Sequence, residues 1–287
     1  MDTNLSLEKL AFYARQIRKS TLEMTTVAGS GHVGGSLSVV DILTVLFFRI
    51  LKHNSKEPLS LGRDRFILSS GHVCPAYYAT LAHAGYIEKQ ELLSLRQLNS
   101  RLQGHPSHVD LPIIETASGS LGQGLSIALG KTLALRLRRQ KSKVYCLMSD
   151  GEQEEGSVWE TAMAASHYCA SNLIAIVDRN SLQISGSTEN IVGLAPLGQK
   201  YRSFGWQVIE ADGHNFSSLI DAFEQAHLSK RQPSVIIAKT VMGKGVRSIE
   251  NNYRWHGKVL NERELNKARN DLEANDRDKK HDVGSTR

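Results

Sequence analysis

The 287-residue sequence has few of the features that mark secreted, disulfide-linked or membrane-spanning proteins. It holds three cysteines, Cys74, Cys146 and Cys169, an odd number without the spacing of metal ligands. We therefore expect buried thiols in a reducing, cytoplasmic compartment. No apolar run is as long as a membrane span, and residues 1–9 do not have the form of a signal peptide. The composition argues against a membrane protein and against a disulfide scaffold.

The sequence also lacks a basic patch interleaved with aromatic residues, although its formal net charge is +6. Its densest basic cluster, residues 136–143, ends a predicted helix, where positive charge complements the helix dipole. A solvated helix end accounts for this cluster better than a nucleic-acid site does. The basic balance is compatible with phosphorylated ligands, so we expect small-molecule substrates and neither nucleic acid nor membrane as a partner.

Apolar periodicity predicts an α/β fold without internal repeats or an obvious domain linker. Short apolar runs alternate with stretches of helical spacing, which is typical of a parallel sheet flanked by helices. Ser38 is expected to cap one of these helices. We expect one domain over residues 1–260, then a charged, exposed helix and a disordered tail over residues 261–287. The predicted strands are residues 65–69, 143–149, 172–178, 206–210 and 234–240, and the predicted helices are residues 7–28, 39–51, 75–84, 123–139, 158–170 and 216–228.

Two polar turns follow neighbouring predicted strands and supply oxygen ligands. Asp150 begins an Asp-Gly turn after the strand at 143–149, and Asn180 closes an Asp-x-Asn sequence after the strand at 172–178. A helix between them makes a βαβ crossover, so the turns should share the carboxyl edge of a parallel sheet. An Asp-Gly turn alone is also common in ordinary loops. The paired turns, however, offer a carboxylate, an amide oxygen and a backbone carbonyl, ligands suited to Mg²⁺ beside a diphosphate.

Glycine-flanked loops carry a set of histidines that is hard to attribute to packing. Glycine neighbours give a side chain little to pack against but let the backbone approach a ligand closely. No pair has the helical spacing of zinc ligands, whereas histidine is suited to proton transfer near neutral pH and to binding hydroxyl groups. We therefore expect an active-site role. The set is His32 in Ser-Gly-His-Val-Gly-Gly, His72 in Ser-Gly-His-Val, His105 in Gly-His-Pro and His256 in Trp-His-Gly.

In their order and composition these loops resemble the diphosphate-binding half of transketolase, over about residues 7–260. The resemblance implies the thiamine diphosphate-binding fold, a parallel sheet flanked by helices. The family's pyrimidine-binding half and C-terminal domain have no counterpart here, so the chain resembles the N-terminal subunit of a split transketolase. A separate C-terminal, pyrimidine-binding subunit is then implied, in an α₂β₂ assembly. The loops that carry the resemblance are residues 29–35, 68–72, 104–106, 119–124, 149–156, 178–180 and 243–257.

When the family's residue roles are carried over position by position, the resemblance implies which residues hold the cofactor. Asp150, Asn180 and the Leu182 carbonyl would bind Mg²⁺, for which Ca²⁺ or Mn²⁺ can substitute. Gly151 and His72 would face the diphosphate. The thiamine rings would lie against a glycine-rich loop in which the family often has a proline where this chain has serine. The residues of that loop are Gly119, Ser120 and Leu121.

The resemblance also implies residues for substrate binding and proton transfer. The glycine-flanked histidines match residues that contact substrate hydroxyls or assist proton movement. Glu155 and Glu160 match acidic residues at the family's subunit interface, on a proposed proton path, and Glu155 and His256 also adjoin the cofactor. Glu160 is equally accounted for as an exposed carboxylate favoured by the dipole at a helix start. The catalytic residues implied are His32, His72, His105, His256 and Glu155.

The activity implied is transfer of a two-carbon ketol unit from a ketose or ketose phosphate to an aldose or aldose phosphate. It would depend on thiamine diphosphate, Mg²⁺ and the partner subunit. Three alternatives stay open: the α subunit of a 2-oxoacid dehydrogenase, an enzyme of the deoxyxylulose-phosphate synthase type, and a non-catalytic pseudo-subunit. A 2-oxoacid dehydrogenase does not need several groups that bind a polyol, so the histidine loops argue against it. A pseudo-subunit would be expected to lose its metal ligands or histidines, and this chain has them. Pentose-phosphate metabolism, unusual sugar catabolism and specialised biosynthesis are all compatible with the sequence.

Overall fold

The computed structural model describes residues 5–284, with side chains described to residue 274. Strands and helices alternate along it, as the apolar periodicity predicts. The strands are β1 (Arg65–Leu68), β2 (Val144–Ser149), β3 (Leu173–Arg179), β4 (Leu182–Gln183), β5 (Gly186–Ser187), β6 (Gln207–Asp212) and β7 (Ser234–Lys239). The α-helices are α1 (Leu7–Ala28), α2 (Val33–Ser38), α3 (Val40–Val45), α4 (Cys74–His83), α5 (Gln123–Leu137), α6 (Gly156–His167), α7 (Thr188–Ile191), α8 (Leu197–Ser203), α9 (Phe216–Leu228) and α10 (Glu262–Gly284).

Within residues 5–284, five strands form one parallel sheet in the order β1-β2-β3-β7-β6. Strands β2 and β3 pair from Val144 opposite Leu173 to Ser149 opposite Asp178. Both strands are buried on both faces, as expected for a parallel sheet covered by helices. Their successive side chains alternate between two cores, one shared with α1, α4 and α9 and the other with α5 and α6. The predicted parallel α/β fold is confirmed.

Helix α1 begins and ends where the sequence predicts, and local chemistry at its two ends explains why. The Ser6 hydroxyl accepts the backbone N–H of Lys9 at 3.4 Å and so satisfies a free donor of the first turn. At the other end Gly29 takes a left-handed φ of 60°, and its N–H donates to the Thr26 carbonyl. This exit leads the chain directly into the glycine-flanked loop that carries His32.

The predicted helix at residues 39–51 was expected to be capped by Ser38, and this is wrong. The helical segment begins earlier, at Val33, and Ser38 is the last residue of α2. Its hydroxyl donates instead to Asp178 Oδ1 at 2.6 Å, and both groups are buried. A hydrogen bond to a buried carboxylate is stronger than one to a helix-end amide, which accounts for the difference.

The three thiols do not share one environment. Cys74 and Cys146 are buried, as expected, and burial raises the pKa of the Cys74 thiol to about 12. The expectation is wrong for Cys169, which is exposed and has a positive φ of 49° just after α6 ends. The turn places it, because its N–H closes the helix end by donating to the Ser166 carbonyl at 2.9 Å. The apolar residues that surround Cys169 along the chain gave no indication of this turn.

Helix α10 packs one face against the rest of the fold. Leu265, Ala268 and Leu272 are buried in a small core with Leu22 of α1 and Val246. The expectation of an exposed charged helix is therefore wrong for this face. Its apolar residues recur at three- and four-residue steps, the spacing that forms a packing stripe on an otherwise charged helix.

The rest of the predicted C-terminal segment is described only in part. The helix runs to Gly284, into the stretch where a disordered tail was expected, and residues 285–287 lie outside the described residues. The division of the chain at residue 260 stays a prediction. Within residues 5–284, no helix combines the length and the apolarity that crossing a bilayer requires.

Replacing Leu272 by alanine tests the docking of α10. The side chain is 4% exposed, so its truncation should lower the free energy of unfolding by about 2–3 kcal/mol. Lys267→Ala, at an exposed position of the same helix, is the matched control and should change it by less than about 0.5 kcal/mol. Urea unfolding of both variants measures the difference. Equal stabilities would mean that α10 is not docked in solution.

Candidate active site

The carboxyl ends of four neighbouring strands bring predicted site residues to one edge of the sheet. His72 lies in the turn after β1, Asp150 directly follows β2 and Asn180 directly follows β3. The segment after β7 leads to His256. Parallel strands end at a common edge, so residues far apart in sequence meet there.

Asp150 reaches across from the β2 turn to the β3 turn. It is 1% exposed, and its Oδ2 accepts the backbone N–H of Ser181 at 2.6 Å and the Arg179 guanidinium at 3.1 Å. Its Oδ1 accepts the N–H of Gly151 at 2.9 Å. The carboxylate therefore contacts the residue next to Asn180, so the two predicted turns are in direct contact.

Asn180 is held by its neighbours in the Asp-x-Asn turn. Its amide nitrogen donates to Asp178 Oδ2 at 2.9 Å, and its Oδ1 accepts the Leu182 N–H at 3.0 Å. Asp178 is itself buried and also accepts hydroxyl hydrogen bonds from Ser38 and Thr240. Sequence reasoning gave Asp178 no role, although it is the first residue of the motif that ends in Asn180.

The electrostatics of these two turns favour a cation. Burial, and then the nearby Asp178 carboxylate, raise the pKa of Asp150 to about 7, while Arg179 and backbone N–H groups oppose the shift. Burial also raises the pKa of Asp178. Within the part of the chain that the structure describes, no three His, Cys, Asp or Glu side chains are grouped as metal ligands. A cation here would therefore depend on the Asn180 amide and a backbone carbonyl beside Asp150, an all-oxygen set that fits Mg²⁺.

Gly151 packs against the end of the Gln183 side chain beside this site. A Cβ added there would lie 2.7 Å from Gln183 Oε1, so that flexible side chain would have to move. Because glycine has no side chain, its backbone can also come close to a ligand, as the predicted diphosphate contact requires. Leu182, whose carbonyl is a predicted metal ligand, begins the short β4 strand next to Gln183.

Glu152 is a site residue that sequence reasoning missed. It is fully buried, and its Oε1 accepts the N–H of Gly122 at 2.7 Å and the Ser69 hydroxyl. Its Oε2 accepts the N–H of Ser149 at 3.1 Å. One carboxylate thus joins the glycine-rich loop before α5 to the end of β2. A run of acidic residues after an Asp-Gly turn is equally typical of a solvated loop, so nothing in the sequence indicated that Glu152 is buried.

The glycine-rich loop lies between the histidines and α6. A Cβ added to Gly119 would lie 3.4 Å from the His105 ring, and one added to Gly122 would lie 2.8 Å from Glu155 Cβ. Ser120 is exposed and Leu121 half-buried. The predicted interface carboxylates, Glu155 at the N-terminal end of α6 and Glu160 one turn later, are both exposed.

Three of the four predicted histidines form a compact cluster. Ring centroids are separated by 5.2 Å for His32 and His72, 5.3 Å for His72 and His256, and 5.7 Å for His32 and His256. Among the described residues, Nδ1 of His32 and Nδ1 of His256 are buried without a hydrogen-bond partner. His105 lies nearby, against Gly119 rather than within the ring cluster. Two unpartnered ring nitrogens in one cluster are a place for a polar ligand.

Burial and mutual proximity keep these histidines neutral. Burial first, then His256 and Arg96, lower the pKa of His32 to about 4. Burial, His256 and His32 lower the pKa of His72 to about 3. The pKa values of His105 and His256 are also lowered, chiefly by burial. At pH 7 each ring therefore offers one donor and one acceptor, as a hydroxyl group does.

A parallel sheet with these turns and histidines at its carboxyl edge belongs to the class of thiamine diphosphate-binding α/β domains. The family described as transketolase, thiamine diphosphate binding domain, matches residues 11–283. This chain belongs to the transketolase family.

This domain occurs both in relatives of about the same length as this chain and in much longer ones. An apulose-4-phosphate transketolase subunit of Phocaeicola vulgatus is 38% identical over 252 residues, which cover 88% of this chain and 89% of the relative. Human transketolase is 42% identical over 255 residues, which cover 88% of this chain and 40% of the relative. The crystal structure of transketolase from Campylobacter jejuni superposes with a TM-score of 0.88 at 32% identity, covering 94% of this chain and 43% of that one. The chain thus spans about two fifths of these longer relatives.

Proposed function

We propose that this chain is the thiamine diphosphate-binding subunit of a two-component transketolase, which transfers a two-carbon ketol unit from a ketose to an aldose. The observation that carries the proposal is the cluster of neutral histidines at the same sheet edge as a carboxylate–amide site in a transketolase-family domain. The relative from Phocaeicola vulgatus and a Clostridium 6-deoxy-6-sulfo-D-fructose transketolase subunit match this chain over 89% and 92% of their own lengths. Their names as subunits support a separate partner here.

Asp150, Asn180 and the Leu182 carbonyl would hold a Mg²⁺ ion that binds the cofactor diphosphate. The buried carboxylate supplies charge, and the amide and carbonyl supply neutral oxygens, which leaves positions for phosphate oxygens and water. Gly151 and His72 would face the diphosphate. The residues proposed at the thiamine rings are Gly119, Ser120 and Leu121. When bound, thiamine diphosphate supplies the electron sink that carbon–carbon cleavage of a ketose requires.

The histidines would bind and orient the sugar. A neutral imidazole both donates and accepts a hydrogen bond, so His32, His72 and His256 can bind hydroxyl groups from more than one side. The unpartnered Nδ1 atoms of His32 and His256 support this assignment. His105 would extend the contact along the sugar chain, on the side of Gly119. Rings with pKa values lowered this far stay neutral near pH 7, which suits them to hydrogen bonding with hydroxyl groups.

The outer surface of α6 supports a partner contact. Glu155 and Glu160 are exposed there, and Met163, an apolar residue on the same helix, is 57% exposed. We propose that a pyrimidine-binding subunit covers this surface in an α₂β₂ assembly. Glu155 would then lie between the glycine-rich loop of this chain and the partner.

Mixing the chain with thiamine diphosphate, Mg²⁺, D-xylulose 5-phosphate and an aldose phosphate tests the proposal. Xylulose 5-phosphate is the sugar in one solved transketolase complex from Pichia stipitis. We expect ketol transfer only after a pyrimidine-binding transketolase subunit from the same organism is added, because cofactor deprotonation in this family needs a glutamate from that half. Apulose 4-phosphate and 6-deoxy-6-sulfo-D-fructose complete the sugar panel, since two relatives are named for them.

Each outcome of this assay has a distinct meaning. Transfer by the single chain would contradict the partner requirement. A parallel assay replaces the ketose by a 2-oxoacid, and turnover of the 2-oxoacid but of no sugar would favour the 2-oxoacid dehydrogenase alternative. Cofactor binding by the assembled complex without turnover of any substrate would favour a pseudo-subunit. The partner assayed alone is the control for contaminating transketolase.

A further inference from the structure

Arg96 has an unusual backbone conformation beside the histidine cluster. Its φ is 60°, in the left-handed region that residues other than glycine, asparagine and aspartate seldom adopt. The turn is closed by its backbone N–H, which donates to the Leu102 carbonyl at 2.9 Å. A strained non-glycine residue persists only where the surrounding structure holds it, and such residues are concentrated at functional sites.

The side chain of Arg96 joins two loops that carry predicted substrate-binding histidines. Its Nη1 donates to Ser30 Oγ at 2.5 Å, and its Nη2 donates to the Gly104 carbonyl at 3.2 Å. Ser30 lies two residues before His32, and Gly104 directly precedes His105. The planar guanidinium has donors in a fixed fork, so one side chain can hold both loops at a set separation.

The effect of the Arg96 charge on nearby histidines agrees with its position between the two loops. The charge of Arg96 contributes to lowering the pKa of His32, after burial and His256, and that of His105, after burial. The guanidinium charge therefore acts on both rings, while its hydrogen bonds among the described residues go to Ser30 and Gly104.

We propose that Arg96 is a positioning residue for sugar recognition: by bridging Ser30 and Gly104 it holds His32 and His105 at the spacing that a ketose chain requires. The inference rests on the proposed transketolase function and adds a specificity-determining residue to it. Arg96 acts through the two histidine loops and has no part in metal or diphosphate binding.

Variants at position 96 separate this role from a structural one. In the assembled enzyme, Arg96→Gln should lower kcat/KM for the donor ketose by about 10- to 100-fold, mainly through KM, since small misplacements of binding groups have effects of this size. Arg96→Lys should recover part of the loss, because an ammonium retains the charge but not the fork. Arg96→Gly should lose as much activity as Arg96→Gln, yet unfold at the same or a higher temperature because the left-handed strain is relieved.

Arg101→Gln is the matched control on the same loop. The Arg101 side chain is 51% exposed and pairs with Glu91, so it takes no part in the bridge between Ser30 and Gly104. It should leave kcat/KM and the thermal midpoint near wild-type values. A kcat/KM for Arg96→Gln within twofold of that of Arg101→Gln would overturn the inference, and so would a large thermal destabilisation of Arg96→Gly.

Amide hydrogen exchange gives a second readout that does not need activity. Arg96→Gln should speed exchange in residues 29–35 and in residues 102–106, whereas Arg101→Gln should leave both segments unchanged. Unchanged exchange in both segments of Arg96→Gln would also overturn the inference. If the wild-type complex transfers no ketol unit, the proposed function fails. If it is active and Arg96→Gln matches it, only the role of Arg96 fails.

Discussion

Replacing Asp150 by asparagine should weaken Mg²⁺-dependent binding of thiamine diphosphate by roughly 100-fold, since losing one member of a buried charge contact costs about 3 kcal/mol. The substitution keeps the shape of the side chain but removes its charge. The asparagine amide has one oxygen for the two backbone N–H groups, of Gly151 and Ser181, that Asp150 accepts, so one of these hydrogen bonds is kept. A thermal midpoint near that of the wild type would show that the loss falls on ion binding and not on the fold.

Isothermal titration of the wild-type and Asp150→Asn chains, each with its partner, measures this effect. Asp221→Asn is the matched control, because Asp221 is exposed on α9 and lies away from the carboxyl edge. The control should bind the cofactor as the wild type does. Equal cofactor affinity in all three proteins would show that Asp150 does not bind the metal ion, and it would contradict the proposed function.

Replacing Asp41 by alanine should lower the free energy of unfolding by about 3–5 kcal/mol, the cost of leaving a buried charge without its partner. The Asp41 carboxylate accepts two hydrogen bonds from Arg18, at 2.9 and 2.7 Å, and one from His214 Nδ1 at 2.7 Å. Arg18 Nε in turn donates to the Lys244 carbonyl at 3.0 Å. The network joins α1, α3 and the segment after β7 that leads to the candidate active site. A loss of this size should lower the thermal midpoint by roughly 10 °C.

The same carboxylate gives the protein an acid-sensitive stability. Burial alone would raise the pKa of Asp41, but Arg18 and His214 outweigh it and hold the pKa well below its usual value of 3.8. A group whose folded-state pKa is lowered stabilises the fold above its unfolded-state pKa, and this contribution is lost as the pH falls below that value. The wild type should therefore lose stability more steeply than Asp41→Ala between about pH 4 and pH 2.

Urea unfolding at pH 7 and along an acid series measures both effects. Asp221→Ala, at an exposed position of α9, should behave as the wild type in both measurements. Parallel acid profiles for Asp41→Ala and the wild type would show that the pKa of Asp41 is not lowered in the folded state.

Local sequence patterns predicted the elements of this fold well. The βαβ crossover from β2 to β3 follows from two apolar runs with a helical stretch between them, and the parallel pairing is confirmed. Helix α1 has the predicted bounds because Ser6 and Gly29 act at its ends through neighbours in sequence. Capping by Ser38 was wrong because its partner, Asp178, is 140 positions away along the chain.

Contacts between distant segments explain what sequence reasoning missed at the site. Glu152 has the composition of a solvated loop acid, and only burial beneath Gly122 and Ser69 makes it a structural anchor. Arg96 belongs to no motif, and its position between Ser30 and Gly104 depends on how two loops meet. No local pattern of residues carries such information.

The sequence by itself determined the alternation of strands and helices, the edge of the sheet where the candidate site residues gather, and the family to which the chain belongs. These depend on periodicity and short motifs, which act within a few residues. Only the tertiary structure decided which polar groups lose contact with water and which partners they find there. Burial and long-range hydrogen bonds set the neutral state of the histidines, the docking of α10 and the role proposed for Arg96, because desolvation depends on the packing of the whole chain.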